Sequence, residues 1–152
     1  MAGARGEERV ANVLIELPDA YHVFHDFVAG GMHVDHVVAG PTGVFSIETK
    51  NWRGRVEIVE GHILANGALP SRNPAQQAQR EADRVKARLA KLGFDVTVVP
   101  VVCFASDSFA GDTRELGSAK IVNANALVGW VQSQPEILAA SDLARLVQLM
   151  NG

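Results

Sequence analysis

The hydrophobic pattern of this 152-residue chain changes period in mid-sequence, and that change restricts it to a sheet with helices packed on it. Residues 32–39 and 44–51 are apolar and rich in β-branched residues, and they are joined across Gly40-Pro41-Thr42-Gly43. They read as a hairpin of two strands. Further on, Ala78, Ala82, Val85, Leu89 and Leu92 fall on one narrow arc of a helical wheel. That helix opens at Asn73-Pro74, where proline suits the first turn, and stops at Gly93. A continuous apolar run over residues 97–104 follows, as expected of a strand buried on both faces.

The remaining elements fit around these. Val10, Val13, Leu14 and Leu17 recur at helical spacing, so residues 6–17 are predicted to form a first helix that Pro18 ends. Residues 21–28 read as a strand that turns at Gly30-Gly31. Residues 55–59 and 62–65 form a second hairpin, turning at Glu60-Gly61. A short strand at 120–122 and helices at 124–132 and 141–150 complete the chain. The order predicts an α/β fold, a mixed sheet flanked by helices, in one domain spanning residues 1–152.

Composition excludes several classes. With 47% hydrophobic and 20% charged residues, the chain can bury a core without disulfides. Its single cysteine, Cys103, lies in the apolar run and reads as a buried thiol. The first residues are charged and carry no signal-peptide pattern, and no apolar run approaches the roughly 20 residues of a membrane span. A cytoplasmic protein with no membrane association is the expectation. The net charge of −3 argues against whole-surface binding of nucleic acid, but a local basic strip could still hold phosphates. No Gly-Lys-Ser/Thr phosphate loop is present, and the spacing of His22, His25, His33 and His36 does not suit a zinc site.

The hairpin carries the chemistry. Glu48 and Lys50 alternate onto one face, and a turn at Pro41-Thr42 brings Asp35 to the same end. Two carboxylates about 4 Å apart repel by about 4 kcal/mol at an effective dielectric near 20. A proton, a lysine or a hard divalent cation can offset that repulsion. On spacing alone, Glu48 and Lys50 would serve equally as a solvated ion pair worth under about 1 kcal/mol. The apolar flanks Val37, Val38, Val44, Phe45 and Ile47 instead indicate a central hairpin, where such charges are costly.

Four blocks in order carry a family resemblance. They are Gly3-Ala4-Arg5-Gly6-Glu7-Glu8-Arg9-Val10, then Val34-Asp35-His36-Val37-Val38, then residues 43–54 around Ile47-Glu48-Thr49-Lys50-Asn51-Trp52-Arg53-Gly54, and Asn73-Pro74-Ala75-Gln76-Gln77. Over residues 3–104 the chain resembles the nuclease-related domain (NERD) family of the PD-(D/E)xK nuclease superfamily. Val34 stands where the superfamily's name has proline. The resemblance implies a restriction-endonuclease-like core and hydrolysis of DNA phosphodiester bonds with Mg²⁺ or Mn²⁺. It implies metal ligation by Asp35, Glu48 and the Thr49 carbonyl, a catalytic Lys50, Glu7 at the site edge, and Gln77 near the substrate. Sites of this superfamily often work in pairs, so a homodimer is an expectation, as is a partnership with other DNA-processing domains. The competing reading is a nucleic-acid-binding or regulatory module that keeps the fold and cuts little.

Basic residues supply candidate phosphate contacts. Residues 72–91 hold six positive and two negative side chains, a net of +4. Arg84 and Arg88 are candidates there, and Arg53 and Arg55 after the Glu48 strand. Trp52 is expected to pack over the sheet edge, with base stacking as the alternative.

Overall fold

The computed structural model describes residues 2–152, with side chains from residue 4 onward. Six strands form one mixed sheet: β1 (His22–Ala29), β2 (Met32–Gly40), β3 (Gly43–Lys50), β6 (Val98–Phe104), β7 (Arg114–Leu116) and β8 (Ala119–Asn123). Their order is β1-β2-β3-β6-β8-β7. β1, β2 and β3 pair antiparallel, β6 lies parallel to β3 and to β8, and β7 closes the far edge antiparallel to β8. A separate hairpin of β4 (Val56–Val59) and β5 (His62–Ala65) turns at Glu60-Gly61, both with positive φ, as a tight hairpin turn requires.

Helices cover both faces. On one face α2 (Pro74–Lys91) and α4 (Ala140–Asn151) pack over Val37, Ala39 and Val44 through Ala82, Val85, Leu89, Leu143, Leu146 and Met150. On the other, α1 (Ala2–Leu14) and α3 (Ala124–Ser133) bury Val10, Leu14, Leu127 and Val131 against Val38, Phe45, Ile47, Val101 and Cys103. The parallel β3–α2–β6 crossover lays α2 directly over the middle of the sheet. The expected α/β fold is therefore present. The first helix differs from expectation: it begins earlier and ends at Leu14, after which Glu16 and Leu17 bond back to Val13 and Leu14 as a tight turn. β7 had no sequence signal, since its three residues are paired only along one edge.

Two glycines record close approaches. A Cβ on Gly40 would run into the Tyr21 ring, so glycine lets Tyr21 pack closely against the hairpin end. The Tyr21 hydroxyl meets Thr42 Oγ1 at 3.1 Å, and that hydroxyl donates to the Val131 carbonyl. The β2–β3 turn is thus pinned from two sides. A Cβ on Gly6 would lie 2.8 Å from Asn51 Cβ, so glycine is what lets α1 press against the end of β3.

Candidate functional site

The β2–β3 register runs from Gly40 opposite Gly43 to His36 opposite Ile47. One step further, Asp35 stands beside Glu48, as the hairpin reading expects. The strands are not regular there. Asp26, across from Asp35 in β1, has φ of 50°, and the pair is missing from an otherwise continuous ladder. Strict alternation would put Val34 and Val37 on opposite faces, yet both enter the same core cluster, with Phe24 and Phe27 beside them. The strand changes face at Asp35. This break accompanies a turn of the carboxylate toward β3, where Asp35 Oδ2 accepts the Thr49 backbone N–H at 2.8 Å.

The centre is assembled from β3 and the first turns of α2. Lys50 Nζ lies 3.4 Å from Glu48 Oε1 and donates to Gln77 Oε1 at 3.1 Å. Gln77 Nε2 donates to Glu48 Oε1 at 3.1 Å and to Glu81 Oε2 at 3.4 Å. The start of α2 fixes these contacts: the Asn73 side chain accepts from the Ala75 and Gln76 amides, and Pro74 holds the first turn. Gln77 and Glu81, four residues apart, then face β3 together. The Glu48 side chain is 8% exposed and that of Lys50 20%, so the pair is not a solvated surface ion pair.

Burial and repulsion govern the protonation states. Burial and then the nearby Glu48 charge push Asp35 up to about 7, against a lowering by the Thr49 amide and further raising by Glu7. Burial, with the Glu81 carboxyl in hydrogen-bonding contact, pushes Glu48 up to about 8, although Lys50 acts against it. Glu81 is also raised, chiefly by burial. Glu7 contacts Asp35 from α1 and so stands at the edge of the site.

Glu81 is the residue that sequence reasoning missed, counting it only among the charges of α2. It is 3% exposed, and its Oε1 has no hydrogen-bond donor among the described residues. The signal was present: Glu81 falls three residues after Ala78 and four before Val85, on the apolar arc. A carboxylate buried there is costly unless something compensates it.

The other predicted residues lie elsewhere. Arg84 Nη1 donates to the Gly30 carbonyl at 2.9 Å, and Arg88 Nη1 to the Val28 carbonyl at 2.6 Å. The Arg88 guanidinium also sits 4.2 Å over the Phe27 ring. Both clamp the β1–β2 hairpin. Arg55 pairs with Glu57 at 3.0 Å. Arg53 lines a cleft beyond the end of β3. Trp52 packs edge-on against Phe104, with centroids 5.5 Å apart. His36, buried opposite α1, shares a hydrogen bond with His25 at 2.8 Å, and burial lowers it to about 4. Cys103 is buried, which pushes its thiol up to about 12.

Three neighbouring carboxyl groups, one with an oxygen lacking a donor, form a hard-oxygen set whose chemistry fits a divalent cation. In this conformation no group of three or more His, Cys, Asp or Glu among the described residues is already gathered into a metal-holding cluster. Gln77 spans the interval between Glu48, Glu81 and Lys50 instead.

A mixed sheet with helices on both faces, and acidic and basic groups meeting at the end of a central strand, has the organisation of a nuclease-like α/β core. The nuclease-related domain model matches residues 2–105, about two-thirds of the chain, and the protein belongs to that family. No curated protein and no solved structure gives a significant match. Among the described residues, no helix is long and apolar enough to cross a membrane.

Proposed function

We propose that this protein is a metal-dependent nuclease that hydrolyses DNA phosphodiester bonds at a centre built from Asp35, Glu48, Glu81 and Lys50. The observation that carries this reading is the burial of Glu48 and Glu81 against each other beside Lys50, within the family-matched region. A purely structural core gains nothing from burying two carboxyl groups in contact. Asp35, Glu48 and the Thr49 carbonyl would hold Mg²⁺ or Mn²⁺, with Glu81 beside them. Such a cation, when bound, supplies Lewis acidity at a phosphoryl oxygen.

The chain's own groups do the rest. The Lys50 ammonium stabilises the negative charge that develops on the phosphoryl oxygens as water attacks phosphorus and the P–O ester bond breaks. Glu48 holds Lys50 in place through the 3.4 Å contact. Gln77, bonded to both, orients them, and in this reading it also contacts the substrate. Glu7 acts through Asp35, reinforcing the acidic edge that orders water.

Lys50→Ala separates turnover from binding. The expected result is loss of cleavage with affinity for an oligonucleotide nearly retained. Equal and undetectable cleavage by wild type and variant, with tight binding by both, would favour a module that binds nucleic acid and does not cut it.

A further inference from the structure

Beyond the ends of β3 and β6 the chain leaves a cleft of about 690 Å³, lined among others by Arg5, Trp52, Arg53, Ser106 and Asp107. Crevices outside the carboxyl ends of parallel strands are where open α/β sheets take ligands. This one adjoins the acidic centre. Asn51 and Trp52 follow Lys50 directly, and the Ala105 amide bonds the Lys50 carbonyl at 2.8 Å. α1 links the two, since Glu7 meets Asp35 and Arg5 reaches the cleft. A second hollow, lined by Arg5, Arg9 and Ser106, continues the cleft along α1.

Of the ten arginines, five (Arg9, Arg55, Arg84, Arg88 and Arg145) bond to protein groups. Arg72, Arg80 and Arg114 are unengaged among the described residues but line no part of this cleft, which leaves Arg5 and Arg53 as the unengaged pair within it. The guanidinium groups of Arg5 and Arg53, both on exposed residues, have no hydrogen-bond or ion-pair partner among the described residues. Two unengaged guanidinium groups facing one cleft suit an anionic ligand with repeated phosphates. The half-buried Trp52 rests one edge contact on Phe104 and still lines the cleft. Basic groups beside an aromatic face are the pairing that holds single strands, which expose both backbone and bases. A duplex is too wide to enter a hollow of this size and hides its base faces.

We propose that this cleft binds a single-stranded segment flanking the scissile phosphate, with Arg5 and Arg53 on its phosphates and Trp52 against a base. The proposal rests on the nuclease reading for the word scissile, but its test does not depend on cleavage. Asp107, exposed on the cleft wall, opposes the ligand and gives a variant of opposite sign.

The test is fluorescence anisotropy of a labelled oligothymidylate and of a labelled duplex, in chelator, over a range of salt. Arg5→Glu with Arg53→Glu is expected to weaken single-strand binding about tenfold or more and to flatten the salt slope by about 1.4, at about 0.7 per phosphate contact. Asp107→Asn is expected to tighten binding. The same double reversal at Arg80 and Arg114, outside the cleft, is the control for general charge. Unchanged affinity and slope in the Arg5 and Arg53 variant overturns the proposal, as does absence of wild-type binding or a preference for duplex. Binding that follows these variants without cleavage under Mg²⁺ or Mn²⁺ leaves the cleft standing and removes the nuclease reading. Cleavage with no response to the variants does the reverse.

Discussion

The carboxyl groups of Glu48 and Glu81 are in hydrogen-bonding contact, one from the end of β3 and the other from the second turn of α2. Two carboxyls can bond only by sharing a proton, and the burial of both favours keeping it. A bound cation would displace that proton and take up the charge.

Stability should therefore fall with rising pH. Asp35 rises from 3.8 to about 7 and Glu48 from 4.5 to about 8, so the folded state keeps protons that the unfolded chain has released. Stability declines wherever the folded state binds more protons. His36, lowered from 6.5 to about 4, acts with opposite sign below pH 6.5 and partly cancels the carboxyls there. The clean window is pH 6.5 to 8, where the thermal midpoint in chelator is expected to drop. Mg²⁺ or Mn²⁺ should reduce the drop. A midpoint that is flat or rises across this window contradicts these assignments.

Glu81→Gln keeps the shape of the side chain and removes its charge. The fold is expected to survive with unchanged or higher stability, since a buried carboxyl is lost. Mn²⁺ affinity, measured by calorimetry, should fall about 10- to 100-fold, the usual loss when a group supporting a metal ligand is removed. Wild-type affinity in the variant would leave Glu81 without a part in cation binding.

Gly6→Ala tests the contact between α1 and β3. In a helix interior this change normally gains up to about 1 kcal/mol. Here the new Cβ would stand 2.8 Å from Asn51 Cβ, and overpacking costs about 1–3 kcal/mol. The clash should win, so a denaturant titration is expected to show a lower midpoint. A higher midpoint means that α1 can shift without penalty.

Arg88→Ala should act on stability and not on nucleic acid. It removes a hydrogen bond to the Val28 carbonyl and the contact over Phe27, together about 1–2 kcal/mol. Oligonucleotide affinity at fixed salt should stay within twofold of wild type. A large loss of affinity with unchanged stability would restore Arg88 to the phosphate-binding role that its place on a basic helix first suggested.

The periodic elements were legible because burial imposes their periods. The β2–β3 hairpin, the α2 stripe and the apolar β6 run read directly from spacing, and Asp35, Glu48, Lys50, Glu7 and Gln77 do come together. What spacing could not show were departures from regularity. The face change at Asp35 goes with the positive φ of Asp26 in another strand. Glu81 was masked by its charged neighbours Arg80 and Asp83, though its helical position matched the core. Arg84 and Arg88 read as phosphate contacts because the carbonyls they meet come from a hairpin more than fifty residues earlier.

The most direct measurement is cleavage of plasmid and single-stranded DNA with Mg²⁺ or Mn²⁺, comparing wild type, wild type in chelator, and Glu48→Ala. The account predicts cleavage by wild type that chelator abolishes and Glu48→Ala reduces by at least about a hundredfold, because the cation and the lysine that stabilise transition-state charge lose the carboxylate that holds them. Cleavage that persists at the wild-type rate in Glu48→Ala would contradict it.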